Sequence, residues 1–222
     1  MLPLGYLIEN GEWNSVKWGS KKGFCTRANR SRTIERDFAD RTWEGRIKVM
    51  TKKKHIFLIG FMGVGKSTVS SELSRLSKQR EIDTDAQIVK EQKMTIPELF
   101  EKKGEAYFRN CETDLLERLK QTEEALIVSC GGGMAMRKQN AALMKESGIV
   151  VWLTATPETI LERVRENQDR PILKGNMNVE FIAGLMEQRR EKYEDAADIM
   201  VCTDNRTVEE ICREIMSKAV NN

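Results

Sequence analysis

One eight-residue segment constrains this chain more than any other feature of its sequence. Residues 60–67 are Gly-Phe-Met-Gly-Val-Gly-Lys-Ser and match the pattern G-x-x-x-x-G-K-[ST] at every fixed position. A short apolar run at residues 55–59 precedes the segment and predicts a buried strand. Val69, Leu73 and Leu76 follow it at three- and four-residue spacing and predict one face of a helix. A strand, a glycine-rich turn and a helix in this order indicate a phosphate-binding loop.

The residue types of this loop suit the binding of a nucleotide. Glycine lets the backbone curl around an oxyanion, so that successive N–H groups and the start of the helix face the phosphates. Lys66 adds a mobile positive charge for the outer phosphates, and the Ser67 hydroxyl is placed to coordinate Mg²⁺. The predicted nucleotide-binding residues of the loop are Gly63, Val64, Gly65, Lys66, Ser67 and Thr68.

The charge of the chain is divided unevenly along its length. Residues 1–54 hold 13 Lys and Arg but 6 Asp and Glu, whereas the remaining residues hold 24 and 28. Three interpretations of this basic extension stay open: a targeting peptide, a binding arm, or sequence upstream of the natural start. We favour Met50 as the start of the functional domain, with the preceding residues largely disordered. The predicted domain spans residues 55–222.

The remaining composition suits a protein that works in a reducing compartment. No apolar run approaches the roughly 20 residues that span a bilayer. The five cysteines are odd in number and lack metal-binding spacing, so we expect reduced thiols and a cytoplasmic location. The single His55 adjoins the start of the first predicted strand, and we assign it no catalytic role.

From residue 55 onward, strand signals alternate with helical signals. Further strands are predicted at residues 80–85, 125–129, 148–153 and 199–202. Because helical segments separate the strands, we predict a three-layer α/β sandwich around a five-stranded parallel sheet. The last helix is predicted from Val208 to about Met216. Ligands gather beyond the carboxyl ends of such strands, which places the phosphate loop, Asp83, Asp85 and the glycines 131–133 around one cleft.

Several short motifs, taken in order, carry a resemblance to a known family. They are G-F-M-G-V-G-K-S from Gly60, D-T-D from Asp83, G-E-x-x-F-R-x-x-E from Gly104, S-C-G-G-G from Ser129, R-P from Arg170 and R-x-x-x-Y from Arg189. Their order and spacing, from about His55 to Cys212, resemble those of shikimate kinase. The resemblance implies a P-loop kinase that transfers the ATP γ-phosphate to the 3-hydroxyl of shikimate, in the pathway to chorismate and the aromatic amino acids.

The resemblance also implies catalytic roles. Asp85 is implied to take the proton of the attacking hydroxyl, and Lys66 to bind the phosphates. Arg170 is implied to belong to a mobile lid that closes over the transferring group, and Arg163 to pack on adenine. The polar residues 165–169 before Arg170, and Lys174, Gly175 and Asn176 a few residues after it, favour such mobility.

Further residues are implied to hold the substrate and the metal. Guanidinium groups bind a carboxylate and carboxylates accept from hydroxyls, so the residue types suit shikimate. Mg²⁺ is implied at Ser67, with Asp83 supporting it through a water. The implied substrate-binding residues are Asp85, Phe100, Phe108, Arg109, Gly131, Gly132, Gly133 and Arg189.

The chain departs from the family pattern before Asp83. Residues 77–81 replace a longer, glycine-containing segment that is common in the family, so we expect a shifted second strand that keeps both carboxylates.

Two alternatives to shikimate kinase stay open. A gluconate kinase would share the loop and lid, but need not combine the paired aspartates, the F-R pair and the three glycines. A non-catalytic nucleotide-binding module could bind nucleic acid through the basic extension.

The second alternative fits the sequence less well, because all implied catalytic groups are present and the domain itself is net acidic. We therefore expect ATP and shikimate as the partners, with no membrane or nucleic acid, and a monomeric chain.

Overall fold

A computed structural model describes residues 7–9, 12–14, 55–165 and 178–220. Residues 15–54, with the favoured start at Met50, lie outside the described residues. So do residues 166–177, which include Arg170 and most of the predicted lid. Among the helices of the described part, none is long and apolar enough to cross a membrane.

The chain divides into two units, residues 1–33 and 34–222. In the first unit, strand β1 (Leu7–Glu9) pairs antiparallel with β2 (Glu12–Asn14), with Ile8 opposite Trp13. This strand pair was not predicted from the sequence, which shows no sustained period there.

The second unit is built on the five-stranded parallel sheet that the sequence predicts. Its strands lie in the order β4-β5-β3-β6-β7, so that β3 is central. All four neighbouring pairs are parallel. The strands are β3 (His55–Ile59), β4 (Arg80–Asp83), β5 (Leu126–Ser129), β6 (Gly148–Thr154) and β7 (Ile199–Cys202).

Helices connect these strands. The helices of the described residues are α1 (Lys66–Ser77), α2 (Thr84–Gln92), α3 (Ile96–Lys103), α4 (Glu105–Lys120), α5 (Lys138–Ser147), α6 (Pro157–Arg165), α7 (Val179–Ala196) and α8 (Val208–Val220). The last helix continues past its predicted end near Met216 to Val220.

The core has two parts, one on each face of the sheet. Leu58 packs with Val69 of α1, whereas its neighbour Phe57 packs with Leu116 of α4. Successive side chains of a strand point to opposite faces, and β3 is buried on both, which explains its continuous apolar run. The three-layer α/β prediction is therefore confirmed.

Strand β4 ends earlier than the sequence predicted. Thr84 and Asp85 begin α2 instead of extending the strand, because Asp83 caps that helix. A carboxylate oxygen of Asp83 accepts a hydrogen bond from the Ala86 backbone N–H at 3.0 Å, which satisfies a donor that helices leave without an internal partner. The side chain of Asp85 therefore projects from the first turn of helix α2 and not from a strand. The shift of β4 relative to the family stays a prediction.

His55 ties the central strand to its surroundings. Its Nε2 lies 2.8 Å from the carbonyl oxygen of Leu119, and its Nδ1 lies 3.2 Å from the backbone nitrogen of Leu126. Because a carbonyl only accepts and an amide N–H only donates, Nε2 carries the proton and Nδ1 accepts. The buried imidazole thus links β3 to α4 and β5.

Close backbone approach between β3 and β6 predicts a strong effect of one methyl group. Gly148 lies opposite His55 in the ladder, and an added Cβ would collide with the His55 carbonyl oxygen. We expect Gly148→Ala to lower the free energy of unfolding by about 2 kcal/mol, measured by urea denaturation.

Gly184→Ala is the matched control for this variant. Gly184 lies exposed in α7, and nothing lies within 4 Å of an added Cβ. Because alanine has a higher helix propensity than glycine, this variant should raise the free energy of unfolding by up to about 1 kcal/mol. Similar effects of the two substitutions would contradict the close approach at Gly148.

Candidate active site

The phosphate-binding loop follows β3 directly. Gly60, Gly63 and Gly65 have positive φ angles of 140°, 79° and 96°. An added Cβ would lie 2.5 Å from the carbonyl oxygen of Leu153 at Gly60, and 2.8 Å from Cγ1 of Val164 at Gly63. The loop therefore needs glycine for its backbone conformation and, at two positions, also for space.

Helix α1 begins within the phosphate-binding motif. Lys66 is its first residue, and Ser67 lies exposed in its first turn, where the helix dipole favours anions. The Lys66 ammonium donates to the carbonyl oxygens of Gly60 at 2.9 Å and Phe61 at 3.0 Å. The ammonium is thereby folded back over the loop, within reach of phosphates that the loop would bind.

Arg163 of α6 fastens the loop from another side. Its Nη1 donates to the Val64 carbonyl oxygen at 3.3 Å and to Oγ1 of Thr203 at 3.0 Å. Its Nη2 donates to the Thr203 carbonyl oxygen at 3.1 Å. These hydrogen bonds use the plane of the guanidinium, whereas stacking on adenine uses its face. The adenine contact of Arg163 stays a prediction.

The junction of β4 and α2 contacts the glycine segment, residues 131–133, which follows β5. The buried Thr84 hydroxyl accepts a hydrogen bond from the Gly131 N–H at 2.9 Å. Asp85 lies so close to Gly131 that an added Cβ would collide with its carboxylate. The carboxylate of Asp85 therefore lies directly against the bare backbone of the glycine segment.

Two arginines from different helices also reach the glycine segment. An added Cβ at Gly133 would lie 2.7 Å from Cζ of Arg109, which belongs to α4. A Cβ at Gly132 would lie 4.0 Å from Nη1 of Arg189, which belongs to α7. The Arg189 guanidinium lies 5.5 Å from the ring centre of Phe61 in the phosphate loop, a favourable cation–π distance. Both guanidinium groups thus border the same short backbone segment.

Two carboxylates hold Arg109 at its two edges. Nη1 donates to both oxygens of Glu112, at 3.1 and 2.9 Å, while Nε and Nη2 donate to one oxygen of Glu105, at 3.1 and 2.8 Å. The side chain of Glu112 is fully buried, whereas that of Glu105 is 65% exposed. Burial raises the pKa of Glu112 to about 7, although Arg109 lowers it, and nearby Asp85 adds a raising effect.

Tyr193 fixes the glycine segment from the side of α7. Its hydroxyl donates to the carbonyl oxygen of Gly132 at 2.6 Å. Its ring stacks on Trp152 of β6, with ring centres 6.0 Å apart. Burial raises the pKa of the Tyr193 hydroxyl, so the group stays a donor at neutral pH.

The two phenylalanines implied as substrate-binding residues lie in different surroundings. Phe108 is 3% exposed and belongs to the core, while Phe100 is 39% exposed. Their rings meet edge to face at 5.2 Å. The Arg109 guanidinium lies 5.4 Å from the centre of the Phe108 ring, so Phe108 supports a substrate-binding candidate from beneath.

A sequence profile described as shikimate kinase matches residues 62–220. The chain belongs to the shikimate kinase family. Membership makes the protein an ATP-dependent kinase, which confirms the prediction from the phosphate loop and the ordered motifs.

Individual shikimate kinases and solved structures agree with this membership. The chain is 41% identical to the shikimate kinase of Sulfurihydrogenibium sp. (strain YO3AOP1) over 165 residues, which are 74% of this chain and 97% of that protein. It is 38% identical to the shikimate kinase of Geobacter metallireducens, over 76% of this chain and 93% of that protein. The structure of shikimate kinase from Acinetobacter baumannii in complex with shikimate matches with a TM-score of 0.72 at 31% identity, over 79% of this chain and 98% of that chain.

A gluconokinase from Sinorhizobium meliloti is a more distant structural neighbour. Its TM-score is 0.50 at 18% identity, over 77% of this chain and 94% of that chain. This likeness shows a shared fold and carries no information about the substrate of this kinase.

Sequence reasoning assigned no role to three residues that shape the site. Thr84 holds the N–H of Gly131, Glu112 orients Arg109, and Tyr193 holds the carbonyl of Gly132. All three lie inside the motifs that carry the resemblance: D-T-D, the final Glu of G-E-x-x-F-R-x-x-E, and the Tyr of R-x-x-x-Y. Their fixed spacing to the assigned residues was the available signal.

The raised pKa of Glu112 predicts that stability falls as pH rises. The folded chain keeps this carboxyl protonated up to about pH 7, whereas its ordinary pKa is 4.5. Between these values the folded state binds the additional proton, so its advantage is complete at the acidic end and is lost as pH rises through 7. Wild type should therefore lose about 3 kcal/mol relative to Glu112→Gln between about pH 4.5 and pH 8.

Urea unfolding at a series of pH values measures this difference. Glu105→Gln is the control, because it removes the exposed carboxylate from the same guanidinium and so accounts for the loss of an ion pair. Stability curves of wild type and Glu112→Gln that run parallel across this range would contradict the raised pKa.

Proposed function

We propose that the protein transfers the γ-phosphate of ATP to the 3-hydroxyl of shikimate, giving shikimate 3-phosphate and ADP. The observation that carries this proposal is the meeting of Asp85, Arg109 and Arg189 at the glycine segment. A small ring with one carboxylate and several hydroxyls requires guanidinium groups for the acid and an acceptor for the alcohols. The complex of the Acinetobacter baumannii relative with shikimate supports this substrate.

The contacts of Arg109 allow a substrate carboxylate to replace one of its two glutamate partners. Glu112 holds its Nη1 from the buried side, while the Nε and Nη2 edge faces the exposed Glu105. A substrate carboxylate would replace Glu105 at this edge and form the same pair of N–H···O bonds. The guanidinium would then keep its orientation and its charge balance during binding.

Asp85 and the phosphate loop divide the chemistry between them. Asp85 would accept the hydrogen of the attacking hydroxyl and align it with the γ-phosphate. Lys66, and Arg170 of the predicted lid, would stabilise charge on the transferring group. Phosphoryl transfer requires mainly positioning and electrostatic stabilisation, which these groups can supply.

Mg²⁺ belongs to this proposal, and the available donors fit it. Ser67 offers a hydroxyl, and Asp83 a carboxylate that retains acceptor capacity beyond its bond to the Ala86 N–H. Within the described ranges no group of three or more His, Cys, Asp or Glu could hold a metal ion. Mg²⁺ is typically coordinated by few protein oxygens, together with waters and phosphate oxygens. Bound at this site, it would neutralise phosphate charge.

The proposal assigns catalysis to residues 55–222 and makes the basic extension dispensable. The family match begins at residue 62, and 165 residues of this chain cover 97% of the Sulfurihydrogenibium relative. A monomeric state and a cytoplasmic location complete the proposal. The location is supported by the four cysteines of the described part, which form no disulfide.

ADP formation by the full-length protein with Mg²⁺ and ATP tests the function directly. We expect turnover with shikimate, and only background hydrolysis with gluconate or with no acceptor, because two guanidinium groups and Asp85 match the shikimate ring. A chain beginning at Met50 should turn over at the same rate. Absence of shikimate-dependent ADP in both chains would refute the assignment, while gluconate-dependent ADP would establish the alternative kinase.

Asp85→Asn tests the division of roles within the site. Loss of the proton acceptor should reduce turnover at least about a hundredfold, while ATP affinity stays within about twofold because Asp85 faces the glycine segment. Turnover assays and calorimetric ATP binding measure the two effects. Asp114→Asn, an exposed aspartate on α4, is the control and should change neither. Loss of ATP binding in Asp85→Asn would mean that Asp85 serves the nucleotide instead.

A further inference from the structure

A carboxylate outside all the recognised motifs links α1 to the edge strand β4. One oxygen of Glu81 accepts a hydrogen bond from the Ser71 hydroxyl at 2.8 Å, and the other accepts from the Ser70 hydroxyl. Ser70 is fully buried, and its hydroxyl also lies 3.0 Å from the carbonyl oxygen of Ser67. Glu81 thus connects the strand to the same helical turn that begins at Ser67.

The residues of this link lie on the same sides of β4 and α1 as the proposed Mg²⁺ donors. Glu81 precedes Asp83 by two residues, so both side chains leave the same face of β4; the contacts to α1 show that this is the face which α1 covers. Ser70 and Ser71 follow Ser67 by three and four residues and therefore lie on its side of the helix. Two strand residues span about 6.6 Å and one helical turn about 5.4 Å. The hydrogen bonds of Glu81 therefore lie one helical turn from Ser67 along α1 and two residues from Asp83 along β4.

The connection between α1 and β4 makes this link mechanically relevant. Only Lys78 and Gln79 join the helix to the strand, and Lys78 has a left-handed conformation with φ of 59°. This turn fixes the far ends of both elements, whereas Ser67 and Asp83 lie toward the ends that carry the site. The Glu81 link holds the two elements together between the turn and the site.

We propose that Glu81 is a positioning residue for the Mg²⁺ site: it holds Ser70 and Ser71 and thereby fixes the distance between Ser67 and Asp83. The inference rests on the Mg²⁺ site proposed above. Glu81 acts through α1 and does not touch the nucleotide. It should therefore contribute to the binding of magnesium-bound nucleotide and leave metal-free nucleotide unaffected, since the loop glycines and Lys66 hold the phosphates directly.

Calorimetric titration of the full-length protein with ADP, once with Mg²⁺ and once with a chelator, tests this proposal. The measured quantity is the factor by which Mg²⁺ strengthens ADP binding. Glu81→Leu removes both acceptors at similar size and should reduce this factor about tenfold, with metal-free ADP binding within about twofold of wild type. Ser70→Ala should act in the same direction, and the double variant should add little to either single variant, because both remove one link.

Glu124→Leu is the matched control. Glu124 pairs with Arg80, the neighbour of Glu81 on β4, at 3.0 Å, and its side chain is 51% exposed. This substitution removes the acidic partner of a β4 residue, Arg80, and leaves the hydrogen bonds between Glu81 and α1 in place. The Mg²⁺ factor of this variant should equal that of wild type.

The outcomes separate this inference from the proposed metal site. An unchanged Mg²⁺ factor in Glu81→Leu and Ser70→Ala would overturn the positioning role, and so would an equal loss of ADP binding with and without Mg²⁺, which marks a purely structural link. Wild-type ADP binding that ignores Mg²⁺ would refute the metal site itself and this inference with it. If Glu81→Leu does not fold, Ser70→Ala alone decides.

Discussion

Parallel pairing of β4, β5 and β3 is the constraint on which the site depends. Ser129, the last residue of β5, lies opposite Asp83 on one side and Leu58 on the other. The carboxyl ends of the three strands therefore meet at one edge, and their following segments become neighbours. A slip of one residue at Ser129 would turn side chains to the opposite face. The ladder thus determines which groups can meet at all.

Bare backbone then lets charged groups approach closely. Gly131 lies against the Asp85 carboxylate, and Gly133 against the Arg109 guanidinium, at distances that a Cβ would make impossible. Glycine carries a large loss of conformational freedom on folding. Two hydrogen bonds offset it here, one from the Gly131 N–H to Thr84 and one from Tyr193 to the carbonyl of Gly132. The same segment therefore lies close to charged groups and is fixed in position.

The fold could be predicted from the sequence because its signals are local. Apolar runs identified four strands of the sheet, and the glycine–lysine motif located the phosphate loop. Strand β4, which is mostly charged, was predicted from its place after the first helix. The end of β4 was predicted wrongly, since the Asp83 cap competes with strand extension and hydrophobic pattern does not encode caps. An aspartate before a helical stretch is nevertheless a recognised start signal, so the D-T-D segment contained the information.

The supporting residues of the site could not be predicted from such signals. Thr84 is joined to Gly131 across 47 positions, and Tyr193 to Gly132 across 61. Glu112 lies on a helix with several other charged residues, where most carboxylates are exposed. The side chain of Glu112 is nevertheless fully buried, a property that only the folded structure shows. The spacing of these residues within the motifs marks them as candidates, but the group that each one contacts is determined by the tertiary structure.

Glu112 shows what a buried carboxylate contributes when it does not contribute stability. Its raised pKa means that loss of solvation outweighs the attraction of Arg109, so its charge opposes folding at neutral pH, as is common for buried ion pairs. What it supplies is orientation, because its two oxygens fix one edge of the guanidinium and leave the other toward Glu105 and the site. In our proposal Glu81 has the corresponding role, with the hydroxyls of Ser70 and Ser71 as its partners instead of an arginine. In both places, a carboxylate that we do not place in contact with substrate holds residues that lie within the proposed site or one helical turn from it.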